Sequence, residues 1–104
     1  MVYSSVIGPA TVHHPWSIMT VNSITLVGRN SEVALSRTES GSAFASFSIV
    51  IKRGEQTATI PCEAWGKLAE KAATMEKGML IGLIGPLTKD KKVRLDCLEI
   101  LAGA

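Results

Sequence analysis

Trp65, Gly66 and Lys67 put an aromatic face, a conformationally free residue and a cation within three positions. An outward indole offers a flat π-surface on which another ring can stack, and an ammonium beside it offers a partner for a phosphate. Further cations gather in two places: Lys52 and Arg53 just before Gly54, and Lys89, Lys91, Lys92 and Arg94 within one short stretch. Arg29 and Arg37 join them by their loop-like surroundings, and Phe44 is a second candidate ring. Stacking contributes about 1–3 kcal/mol per base, and each neutralised phosphate adds an increment that salt removes. One stack and a few cations therefore predict micromolar rather than nanomolar binding, steeply weakened by salt.

Each of these residues also has a plainer reading. Trp65 can be a rim or subunit-interface aromatic. The Lys89–Lys92 cluster can be a solvated hairpin tip that keeps an edge from pairing. Phe44 can pack against the first strand instead of stacking a base. Catalysis finds no support, because no Ser, Cys or carboxylate stands beside a base, and His13 and His14 are neighbours whose rings point apart in an extended chain. Gly78, Gly82 and Gly85 follow a strand pattern, not a phosphate-cradling turn before a helix. No enzyme, metal site or cofactor is expected. Cys62 and Cys97 read as two buried free thiols of a reducing compartment.

The elements that must carry these side chains are legible from periodicity. At 104 residues and 46% hydrophobic content the chain is long enough for one folded domain, and its apolar runs fall short of a bilayer span. The net charge of +2 is a weak polyanion signal, but it is unevenly spread: residues 1–28 hold no Asp, Glu, Lys or Arg. Residues 1–18 lack periodicity and read as a flexible tail without a secretory signal, and residues 19–104 as the domain. Within it, strands are expected over Val21 to Gly28 (with a continuation over Glu32 to Ser36), Ala43 to Lys52, Thr57 to Trp65, Met79 to Leu87 and Val93 to Leu101. Lys67 to Glu76 has helical propensity, with Leu68, Ala72 and Met75 on one stripe and Gly78 as its expected stop. The run Met79 to Leu87 is so apolar that both its faces are expected to be buried. In the last strand Val93, Leu95 and Cys97 should share a face. The order β-β-β-α-β-β is that of an all-β OB-fold, a five-stranded Greek-key barrel with one helix.

Four segments carry a resemblance. Asn22 to Arg29, Gly41 to Ser48, the block Ala64-Trp65-Gly66-Lys67-Leu68-Ala69-Glu70 with Lys77 to Ile81, and Val93 to Leu101 are similar, in order, to the bacterial single-stranded DNA-binding proteins. Their tone is that of the short cyanobacterial and plastid forms. The resemblance implies non-sequence-specific binding of single-stranded DNA, with RNA as an open alternative, in support of replication, repair and recombination. It also implies a homo-oligomer, tetramer or dimer, in the cytoplasm with the nucleoid or in the plastid stroma. Trp65 falls where the family has a stacking aromatic, and Lys67 where it has a basic neighbour. The chain departs from the pattern in both hairpins, Arg53 to Gln56 and Thr88 to Lys92, which lack aromatics, and it shows no acidic C-terminal tail for recruiting partners. Those departures leave a rival: a degenerate paralogue acting as a protein-interaction subunit.

Overall fold

The computed structural model describes residues 20–104; the expected tail over residues 1–18 lies outside the described residues. Seven strands and one helix follow in order: β1 Ile24–Asn30, β2 Ala34–Arg37, β3 Ala43–Arg53, β4 Gln56–Trp65, α1 Lys67–Ala73, β5 Leu80–Gly85, β6 Val93–Arg94 and β7 Cys97–Ala102. They form one sheet in the order β6-β4-β3-β1-β5-β7, with β2 also on β3. Only the β4–β6 pair is parallel.

Seven strands replace the expected five because the first and last are each broken. β1 and β2 are two halves that both pair with β3. Between them Ser31 takes over the ladder: its backbone N–H donates to the Ser48 carbonyl at 2.8 Å, and its Oγ accepts from the Ser48 N–H at 2.8 Å. The first half begins at Ile24 rather than Val21.

The last strand breaks for a different reason. Leu95 N–H donates to the Glu63 carbonyl of β4 at 2.9 Å, whereas Asp96 N–H donates to the Ile84 carbonyl of β5 at 2.8 Å. Two consecutive residues thus bond to opposite edges of the sheet, and the edges are joined by the chain rather than by a continuous ladder. Gly85 permits the crossing, since a Cβ there would fall on the Arg94 carbonyl oxygen. The switch shifts the alternation. Val93 and Leu95 point inward as expected, but Leu98 takes the next inward place and Cys97 is exposed. The expected buried thiol pair is therefore one buried thiol, Cys62, and one exposed; both are free.

The helix stops at Ala73, three residues short of Glu76. Thr74 ends it by donating its hydroxyl to the Lys71 carbonyl at 2.6 Å, and Met75 N–H tightens the turn onto the Ala72 carbonyl at 3.0 Å. Gly78 is not its C′ residue. At φ 89° Gly78 forms the turn into β5, its N–H donating to the Asn30 carbonyl at 2.8 Å. Asn30 is buried and its Oδ1 accepts the Met79 N–H at 2.9 Å, so β1 anchors the turn.

Phe47, Ile49, Cys62, Ile81, Leu83, Val93 and Leu98 fill the interior, and Ala69 and Ala72 of α1, with Met75 just beyond it, close it at one end. The apolar run predicts two buried faces for β5, but only Ile81, Leu83 and Gly85 point in. Ile84 is 41% exposed, and with Val27 at 54% and Leu101 at 53% it leaves the outer wall of β1, β5 and β7 apolar and uncovered. A groove there is lined by Thr25, Val27, Gly82, Ile84, Cys97 and Leu101. On the other side, β3 and β4 run past the barrel as an exposed arm over Lys52 to Thr59, closed by a two-residue turn in which Gly54 takes φ 62°.

Candidate nucleic-acid interface

Residues opposite each other across an antiparallel ladder share a face. The β3–β4 register therefore lays out one outer surface: Phe44 beside Trp65, Ser46 beside Glu63, Ser48 beside Pro61, Val50 beside Thr59 and Lys52 beside Thr57. β2 adds Ser36 next to Phe44, and the parallel β6 adds Arg94 next to Glu63. Pro61 sits where β6 has not yet begun to cover β4, so its missing N–H breaks no pairing on that side.

Trp65 is the last residue of β4 and is 42% exposed. Its indole is held from two directions. The Phe44 ring lies 4.5 Å away between centroids, tilted at 54°, a geometry that aromatic quadrupoles favour. At the other edge the Trp65 Nε1–H donates to Glu63 Oε2 at 3.3 Å. The same oxygen accepts from Arg94 Nε at 3.4 Å. One carboxylate thus ties the aromatic to a cation from a different strand. Phe44, placed between Ser36 and Trp65, has Trp65 as its ring partner.

Around this pair the expected cations divide. Lys67 opens α1 immediately after Gly66, whose φ of 62° turns the chain off the sheet, and it is exposed. Lys92 is half-buried and, with Ser46, Ser48 and Pro61, lines a shallow cleft of about 220 Å³ on the same surface. Lys89 and Lys91 are exposed on the turn from Thr88 to Lys92, closed by Thr88 N–H to the Lys92 carbonyl at 2.7 Å; Lys91 takes φ 65°. Lys52 and Arg53 ride the far end of the arm, eight register steps from the aromatics, or about 26 Å at the rise of a strand. Two arginines stand apart. Arg37 pairs with Ala43, on the side where it meets Glu70 of α1 at 3.8 Å. Arg29 donates to the carbonyls of Gly78 and Gly103 at 3.0 and 3.2 Å.

Glu63, Ser46 and Ser48 belong to this surface although none is among the sequence candidates. A signal for Glu63 was present, because two residues before Trp65 in a strand is the same face. Its link to Arg94 could not be read, since it depends on the parallel β4–β6 contact. Among the described residues no cluster of His, Cys, Asp and Glu is placed to hold a metal, and no helix is long and apolar enough to cross a membrane.

Comparison with known proteins bears on this geometry. No curated protein sequence matches the chain. Two solved structures, the wild-type single-stranded DNA binding protein from Thermus aquaticus and a deletion variant of it, match with TM-scores of 0.73 and 0.74. Each is 27% identical over 81% of this chain, which spans 42% of the length of those chains. The barrel is thus an OB-fold, with the first and last strands broken as described. The Single-strand binding protein family model matches residues 21–94, from before β1 to the end of β6. A match that takes in the aromatic pair, the helix and all but the last of the strands makes this chain a member of the single-strand binding protein family.

Proposed function

We propose that the chain binds single-stranded DNA without sequence preference, on the outer face of β2, β3, β4 and β6. The observation that carries the reading is the Phe44–Trp65 pair, a half-exposed aromatic step on a sheet face bordered by Lys67, Lys92 and Arg94. Every base has a π-face, so such a step accepts any of them. Phosphates run outward along the cations, from Lys67 past Arg94 and Lys92 to Lys52 and Arg53 on the arm. RNA would meet the same step. The chain performs no catalysis; it holds strands for replication, repair and recombination, in the cytoplasm or the plastid stroma.

The functional unit is a homo-oligomer built through the apolar wall of β1, β5 and β7, which lies on other strands than the aromatic step. Hiding that wall between copies leaves the DNA face open on each. The test is anisotropy of a labelled oligo-dT titrated with the full chain at low and moderate salt. Binding that weakens linearly on a log–log salt plot supports the reading. No binding at tens of micromolar protein overturns it in favour of a protein-interaction subunit.

A further inference from the structure

Glu63 is an odd residue to find at the centre of a surface for a polyanion. Its side chain is only 12% exposed, against 56% for Arg94, and its Oε2 receives both the Trp65 indole N–H and the Arg94 guanidinium. A carboxylate in this place repels phosphate and occupies a cation that borders the aromatic step. It also fixes the indole edge, while Phe44 fixes the ring from the side. Both effects run through one oxygen atom, but only the hold on Arg94 depends on its charge: an amide oxygen still accepts from the indole but carries no charge.

We infer that Glu63 is a positioning residue with a built-in brake: it orients Trp65 for stacking and, as an internal stand-in for phosphate, withholds Arg94 from the strand. The inference rests on the single-strand-binding reading. Arg94 must leave Glu63 before it can take a phosphate, and the exposed half of that ion pair is the half that can move. Glu63→Gln removes the ionic hold on Arg94, leaving only a weaker neutral acceptor that a phosphate can outcompete, while retaining an acceptor for the indole. One more phosphate is then neutralised. For single strands that steepens the slope of log K against log salt by about 0.7. Across a fourfold change in salt the variant loses about 2.6-fold more affinity than the parent. At low salt it binds about two- to fivefold more tightly, the span of an exposed ion pair given up.

The experiment is an anisotropy titration of labelled oligo-dT over a salt series, with the full chain as parent, Glu63→Gln, Arg94→Ala and the double variant. The expected result is a steeper slope for Glu63→Gln alone and none of that steepening when Arg94 is absent. A general gain from removing one negative charge would persist in the Arg94→Ala background, and that outcome overturns the inference. So does an unchanged slope in Glu63→Gln. Glu63→Ala supplies the second arm: it frees Arg94 and also removes the indole acceptor, so its slope steepens like that of Glu63→Gln while its low-salt affinity falls below it. Equal affinities of the two variants would sink the orienting role. A parent that binds no oligo-dT at any salt would instead remove the single-strand-binding reading itself, a result distinct from a parent that binds and a Glu63→Gln variant that matches it.

Discussion

Trp65 carries the largest single share of the proposed binding, because its exposed face lets a base displace water from an aromatic already held in place. Trp65→Ala should weaken oligo-dT binding by about 1–3 kcal/mol, roughly 5- to 150-fold, with the salt slope nearly unchanged, as read by anisotropy. Lys92→Ala should do the reverse, flattening the slope by about 0.7 with a smaller loss at high salt. The two cysteines make a sharper contrast. Burial pushes the Cys62 thiol up from 9.0 to about 11, whereas Cys97 is exposed. A thiol reagent at pH 8 should therefore label one site in the native protein, Cys97, and two after unfolding. The unfolded Cys62 ionises near 9 and the native one near 11, so its contribution to stability is complete below pH 9 and is lost as pH rises to 11. That loss amounts to up to about 3 kcal/mol, and urea midpoints of Cys62→Ala should lack this part of the alkaline decline. Much of the site was legible at this scale: an outward Trp beside a Lys is visible as pattern. The Glu63–Arg94 link was not, because residues 31 positions apart meet only through a parallel strand pair.

At the scale of elements, the β3–β4 hairpin and the succession of strands and helix along the chain followed from alternation and from glycine punctuation. The breaks within strands did not. Ser31 substitutes for a ladder bond with its own hydroxyl, and nothing in the spacing distinguishes that serine from an ordinary turn residue. The helix ended early because Thr74 turned its hydroxyl back on the Lys71 carbonyl, against the propensity of Glu76 and Lys77 for continuing. The apolar run of β5 misled for a physical reason: hydrophobicity reports that a surface avoids water, not whether the same chain covers it. The edge switch at Leu95–Asp96 is sensitive to a small change. Gly85→Ala should cost about 3 kcal/mol in urea unfolding, since the methyl group would overlap the Arg94 carbonyl and the backbone would have to yield. Gly103→Ala, with nothing within 4 Å, should shift the midpoint negligibly.

For the molecule as a whole, the proposed reading divides the labour between two outer walls: the polar wall with its aromatic step for the strand, and the exposed apolar wall of Val27, Ile84 and Leu101 for another copy. An Ile84→Asp, Leu101→Asp variant should therefore lower the mass seen by light scattering while the aromatic pair keeps its fluorescence environment. Its affinity per site on a short oligonucleotide should stay within a few-fold of the parent, while cooperative coverage of long strands is lost. The edge switch has a consequence in time as well as in space. Residues 93–102 supply both margins of the sheet at once, β6 against β4 and β7 against β5. A nascent chain emerging from the ribosome therefore carries two unsatisfied margins until that decapeptide is out of the exit tunnel. The same arrangement makes the segment a natural strand to donate: a chain cut between Asp90 and Lys91 should regain its fold when the missing piece is supplied as a separate peptide.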